Sequence, residues 1–348
     1  MTANRRHLLT GALTLSALHA FPGLSRAQAR KLVFATFTGS WEEAHRGVLV
    51  PAFRKSAPGA DIVLDPMLSV DQIAKITAAR ANPPIDVMLH DPGPALVALA
   101  QDLAEPFPTA QSAHYKDLIV DAQEPMGPAP FFQVVGLTYN PEKVKTPPTS
   151  WADLWKPEFK NRVGITNLNS TLGTGWLVEI ARMHGGSEAN VEPGFKALGE
   201  LKPNLAAVAA NPGALATLYQ QEQVDIGPGN FNAIQILKAR GVPVEFVAPK
   251  EGAIAFKTTM HIVKNTPVKE LAFKLIEAAI SPEVKAKLME SPYLIVPTNS
   301  KVKMTGEIAK VLAKDSDELR KKFVFQDWKT INQNRSAWIE RFNREIRV

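Results

Sequence analysis

Apolar residues in this chain fall into short unbroken runs, separated by longer stretches in which they recur every third or fourth position. The run 31–37, rich in β-branched and aromatic residues and stopped by Gly39-Ser40, predicts a buried strand. Helical spacing follows over about 41–55, with a kink expected at Pro51. A second strand is expected at 61–64, and Ser69 with Gln72 three residues on reads as a capping box opening a helix to about Arg80. A third strand, 85–89, ends in His90-Asp91-Pro92-Gly93, read as a polar loop closing the strand. Apolar strands alternating with amphipathic helices predict a parallel sheet covered on both faces.

The pattern changes at 131–139, a run too long for one small strand and expected to pass from one lobe to another. A second α/β set follows, with strands at 162–166, 224–226 and 244–247. Its helices are expected at 172–183, closed by Gly185, from Pro212, opened by Asn211, and at 232–240. The run 254–263 is the expected return crossing, and helices opening with proline follow Thr266 and Ser281. After 294–297 come amphipathic helices around 308–312 and 331–346. The expected fold class is α/β, with two lobes, each a mostly parallel sheet flanked by helices, and a hinge between them. Residues 30–135 and 256–299 would form the first lobe, and 136–255 and 300–348 the second. Ligands in such sheets sit beyond the carboxyl ends of strands, so the strand-to-helix loops are the places to inspect.

Composition narrows the chemistry. The 348 residues suffice for two cores, and the absence of cysteine removes disulfides, thiolate metal sites and cysteine nucleophiles. The net charge of +6 divides unevenly: residues 30–300 hold 25 Lys/Arg against 27 Asp/Glu, while 301–348 hold 12 against 7. Without interleaved aromatics that basic tail is read as a solvated face, and no nucleic-acid partner is expected. Residues 1–29 carry Arg5, Arg6 and Arg26 and no acid, then a short apolar stretch from Leu8 to Ala20 and Ala27-Gln28-Ala29. That order predicts an export signal peptide, and Asn4-Arg5-Arg6-His7-Leu8-Leu9 resembles the twin-arginine motif; a periplasmic, monomeric mature protein is expected.

No phosphate loop, nucleophile elbow or His-Glu-x-x-His pair occurs, and the seven histidines are dispersed. Gly173-Thr-Gly175 and Gly227-Pro-Gly229 lack the third glycine of a dinucleotide fingerprint and read as tight turns. The expectation is a protein that is not an enzyme and uses neither cofactor nor metal.

Three stretches carry a resemblance. Thr149-Ser-Trp-Ala-Asp-Leu-Trp-Lys-Pro-Glu-Phe-Lys160 follows a strand ending Gly136-Leu-Thr-Tyr-Asn-Pro141; Val224-Asp-Ile-Gly-Pro-Gly-Asn230 precedes Glu251-Gly-Ala-Ile254; and Ala272-Phe-Lys-Leu-Ile276 leads to Ser281-Pro-Glu-Val-Lys285 and Pro297-Thr-Asn299. In order and spacing they resemble the family 1 extracellular solute-binding proteins of ABC importers, in the spermidine/putrescine-binding branch. The resemblance implies a two-lobed periplasmic binding protein of type II that closes on a small solute and delivers it to a membrane permease.

The resemblance also implies polyamine anchors, aromatic rings and carboxylates, and here the chain departs from it. Trp41 and Glu42 remain in the first loop, but Asn230 stands where the branch usually has Trp, and Phe256 and Thr258 where it offers Trp and Asp. The loop Asn167-Leu-Asn-Ser170-Thr171 presents amides and hydroxyls at a helix start, suited to an oxyanion. Trp41 and Phe256 are expected as apolar walls, Phe132 as a further aromatic contact, and Asn230 and Asn232 as orienting amides. The expected solute is a small polar organic molecule of amino acid, carboxylate or phosphonate type. The alternatives are a polyamine held by Glu42 and Asp91, and, from another class, an exported α/β enzyme.

Overall fold

The computed structural model describes residues 31–346; the expected export segment 1–29 lies outside them. Eleven strands are present among the described residues: β1 (Lys31–Thr36), β2 (Asp61–Pro66), β3 (Val87–His90), β4 (Ala104–Glu105), β5 (Phe131–Tyr139), β6 (Val163–Thr166), β7 (Leu205–Ala209), β8 (Ile226–Asn230), β9 (Glu245–Val247), β10 (Ile254–Val263) and β11 (Val296–Pro297). They follow one path, β2-β1-β3-β10-β5-β8-β6-β7, with β4 on β10 and β9 and β11 on β5. The ends of the path are parallel and its middle is antiparallel.

The two long apolar runs are what join the halves. Ile254 to Thr258 of β10 pair with β5, whereas Thr259 to Ile262 pair with β3, so one strand leaves one parallel set and enters the other. β5 runs beside it and continues along β8. Each parallel set is buried on both faces. Leu32, Phe34, Phe53 and Ile276 lie in a cluster on one side of β1, and Ala35, Ile76 and Met88 in another. Around β6 and β8, Ile165, Trp176 and Leu198 belong to one cluster and Leu215, Tyr219 and Ile234 to a second.

Several local expectations are corrected. At Pro51, five residues of π-helix, His45–Leu49, separate Ser40–Ala44 from Val50–Ser56; the wider turn takes up the register that proline's missing N–H disturbs. Ser69 and Gln72 do not form a capping box. The Ser69 hydroxyl accepts from the Asp91 N–H at 3.3 Å and the Gln72 carbonyl from the Leu89 N–H at 3.0 Å, so both hold the end of β3. His90 is the last residue of β3 rather than part of the polar loop after it, and both His90 and Asp91 are buried. Gly173 and Gly175 lie inside the helix Thr171–Met183, and the strand expected at 224–226 is β8, which contains Gly227-Pro-Gly229. A Cβ at Gly227 would stand 2.0 Å from the Gly164 carbonyl oxygen, so glycine permits a close strand approach there rather than a turn.

Gly227→Ala is expected to destabilise the protein by at least about 2 kcal/mol in denaturant unfolding, because backbone must move to admit the methyl. Gly199→Ala, in the helix Glu192–Leu201 with nothing within 4 Å of the added carbon, should instead be neutral or stabilising by up to about 1 kcal/mol.

Candidate functional site

The carboxyl ends of the parallel strands of both halves meet at one cavity. Phe37, Thr38 and Trp41 follow β1, Leu68 follows β2 and Asp91 follows β3; from the other half come Ser170, Thr171 and Leu172 after β6, Pro212 after β7 and Asn230 at the end of β8. Gln133 of β5 and Phe256 of β10 complete the wall from the crossings. The cavity measures about 30 Å³, and a neighbouring one of about 100 Å³ shares Thr38, Trp41, Pro212 and Asn230. Pockets for small organic ligands run to roughly 300–1,000 Å³, so in this conformation the halves are drawn tightly together.

Direct contacts hold them there. The Asn232 amide donates to the Ser40 hydroxyl at 3.1 Å, Arg240 pairs with Glu43, and the Thr38 hydroxyl lies 3.4 Å from the Asn211 carbonyl oxygen. Gly39, at φ 69°, adopts the left-handed backbone that glycine tolerates, and a Cβ there would lie 3.3 Å from the Gly213 Cα. Two glycines therefore let the halves approach backbone to backbone.

The polar centre of the wall is Asp91. Its carboxylate accepts from Gln133 Nε2 at 2.6 Å and from the Thr258 hydroxyl at 3.3 Å, and Thr171 also bonds to it. The Arg335 guanidinium, from the helix Trp328–Glu345, adds a favourable charge from behind. Burial nonetheless outweighs these partners and raises the Asp91 carboxyl to about 6. Gln133 in turn accepts at Oε1 from Asn230 Nδ2, 3.2 Å away. Arg335 is itself buried and donates to the Leu168 and Asn169 carbonyls at 3.3 and 2.9 Å, bracing the loop before Thr171.

Trp41 supplies the apolar side. Its ring stacks on Phe131 at 4.3 Å and 22°. Behind Phe131, the Lys285 amine lies 5.3 Å from the ring centre; burial holds it well below the usual lysine range and, with Lys285 beside it, lowers His45 to about 3. Both groups are thus disfavoured as cations by the apolar floor that buries them. A cavity of about 410 Å³ on the other face of β10 is walled by Leu96, Leu99, Met126, Phe325 and Trp328.

The structure brings together Trp41, Asp91, Ser170, Thr171, Asn230 and Phe256 of the expected residues. Four others stand elsewhere. Glu42 points outward and pairs with Arg46 at 2.5 Å, one helical turn on. Phe132 faces the opposite side of β5 from Gln133 and meets Phe325, because side chains alternate along a strand. Asn232 bridges the halves outside the cavity, and Thr258 stands behind it, bonded to Asp91. Gln133 and Arg335 were missed. Gln133 had a signal, a lone amide in an otherwise apolar strand; Arg335 had none, being one cation of a basic helix read as solvated.

The raised Asp91 carboxyl has a stability consequence. The folded protein holds a proton there that the unfolded chain releases near 3.8, so the contribution is present at low pH and is lost as pH rises toward about 6. Asp91→Asn lacks that loss. Its stability relative to the parent is expected to improve by roughly 2 kcal/mol between pH 4 and pH 7, measured by denaturant unfolding at both values.

Solved structures share the fold across almost the whole chain: the periplasmic binding protein AgtB from A. tumefaciens R10, solved with agropinic acid, has a TM-score of 0.77 at 17% identity over 91% of this chain and 98% of that one. AfuA from Actinobacillus pleuropneumoniae, solved with fructose-6-phosphate, has a TM-score of 0.74 at 20% identity over 92% and 99%. The fold is therefore that of a two-lobed periplasmic binding protein. In sequence, the spermidine/putrescine-binding periplasmic protein of Salmonella typhimurium is 32% identical over 145 residues, 41% of this chain and 41% of that protein. A periplasmic protein of the same organism whose name proposes 2-aminoethylphosphonate binding is 26% identical over 224 residues, 63% of this chain and 64% of that one. The chain thus spans less than two thirds of the curated relatives it matches. The family model described as bacterial extracellular solute-binding protein matches residues 82–334, and the chain belongs to that family.

Proposed function

We propose that this protein is the solute-binding subunit of an ABC importer, exported by its first 29 residues to the periplasm, where it captures a small polar organic solute and passes it unaltered to a membrane permease. The observation that carries this reading is the cavity itself, walled by strand ends from both halves and closed by contacts between them. A site divided in this way couples occupancy to the separation of the halves, which is what a permease can sense. Residues 30–135 and 256–299 would move as one lobe and 136–255 with 300–348 as the other. No helix of the described residues is long and apolar enough to cross a membrane.

Trp41, Ser170, Thr171, Asn230 and Phe256 are the proposed solute contacts. The first turn of the helix Thr171–Met183 begins at the cavity, and its positive end favours an anionic group. This supports a solute of amino acid, carboxylate or phosphonate type. A polyamine is the second reading; it is favoured by Asp91 in the wall and by the relatives named for spermidine and putrescine.

A thermal-shift screen of amino acids, small carboxylates, phosphonates and polyamines tests the proposal. A true solute at 100 times its Kd should add roughly 2.7 kcal/mol of stability. Stabilisation by putrescine or spermidine alone would select the second reading, and chemical conversion of any bound compound would refute both. Trp41→Ala should weaken the winning solute more than tenfold by titration calorimetry; unchanged affinity removes Trp41 from the site.

A further inference from the structure

The polar residues of the cavity wall form a relay whose direction is fixed at one end. Above its titration point Asp91 is a carboxylate and can only accept, so the atom of Gln133 that faces it at 2.6 Å must be the amide nitrogen. Thr258 enforces the same choice. Its hydroxyl proton goes to Asp91, and its oxygen then accepts from that Gln133 nitrogen at 2.9 Å. Gln133 is left with its carbonyl oxygen toward Asn230, which must answer with its own amide nitrogen, at 3.2 Å. The end of the relay is therefore the Asn230 carbonyl oxygen. It is buried, it belongs to a residue lining both adjoining cavities, and it has no hydrogen-bond partner among the described residues. A buried acceptor without a protein donor is unfavourable, and an N–H group of the solute would supply one. The Trp41 indole N–H, in the same wall, is likewise buried and unpartnered, and it is a donor.

We propose that the Asp91–Gln133–Asn230 relay sets the polarity that the site accepts, so that the solute presents an N–H group, an ammonium in the simplest case, to the Asn230 carbonyl oxygen and is refused when an oxyanion stands there. This rests on the solute-binding reading above and sharpens it: amine-bearing acids are selected over diacids of equal length. Asp91 acts here as a positioning residue through two amides, and Asn230 is the contact.

The test uses pairs matched in length and differing at one end: β-alanine against malonate, 4-aminobutyrate against succinate, and 2-aminoethylphosphonate against phosphonoacetate. Affinities are measured at pH 7.5 for the purified mature protein. The expected result is at least tenfold tighter binding of the amine-ended member in every pair that binds. In Asp91→Asn the new amide can donate to the Gln133 carbonyl, the relay can reverse, and the preference should fall at least tenfold. Preference for the oxyanion-ended member in the parent protein overturns the proposal, as does a selectivity that Asp91→Asn leaves unchanged. If no probe of either kind binds, the amino acid, carboxylate and phosphonate class is what fails, and the relay is decided in the unliganded protein by side-chain amide NMR. Asp91→Asn should then shift the Gln133 and Asn230 amide signals together; a shift at Gln133 without one at Asn230 overturns it.

Discussion

A carboxylate taken out of water between two domains must be answered by donors, and the donors to Asp91 come from almost every part of the molecule. Asp91 follows β3 in the first half; Gln133 and Thr258 belong to the two crossing strands and Thr171 to the second half, while Arg335, on the last helix, adds its charge without a direct bond. One buried charge thus draws five elements to a point. The arrangement is costly, because burial still outweighs the bonds and lifts the carboxyl above its usual range. Structure that existed for stability alone would gain by replacing the group with an apolar side chain. Its presence at the meeting of the strand ends argues that the site, rather than the core, requires it.

The closing contacts share a design. Ser40 with Asn232, and Glu43 with Arg240, join the first helix of one half to a helix of the other and its end, while Gly39 and Gly213 remove the side chains that would hold the backbones apart. Both pairs are polar, and the Glu43–Arg240 pair is solvent-exposed. Exposed pairs of this kind contribute little energy, on the order of 1 kcal/mol or less. A solute of modest affinity can therefore govern whether the cleft stays shut.

Much of this was legible in the residues. Unbroken apolar runs located most of the strands and both crossings, because a strand buried on two faces has no polar positions to spare. Asn211 before Pro212 marked a helix start that the structure retains, with its side chain capping the Ala214 N–H. The failures were of two kinds. Phe132 and Gln133 are neighbours on one strand, so only one of them can face the cavity, and the lone amide in the apolar run is the signal for Gln133. Ser69, Gln72 and Arg335 were misread because their partners lie in other segments, at Asp91, Leu89 and Leu168; no local pattern reports a long-range bond. Gly227-Pro-Gly229, which lacks the third glycine of a fingerprint and reads as a tight turn, is strand, because here the strands need the space.

The last helix touches both halves. The Asn332 amide reaches the Gly93 carbonyl of the first half at 2.8 Å, and three residues later Arg335 grips the loop of the second. With β5 and β10 it makes a third strap across the joint. A joint with two parallel straps can bend and also twist; a third, set on another face, stretches whenever the halves are wrung against each other. Were the halves to part, a joint braced in this way would favour one swing over a twist, and its mouth would then open along one line.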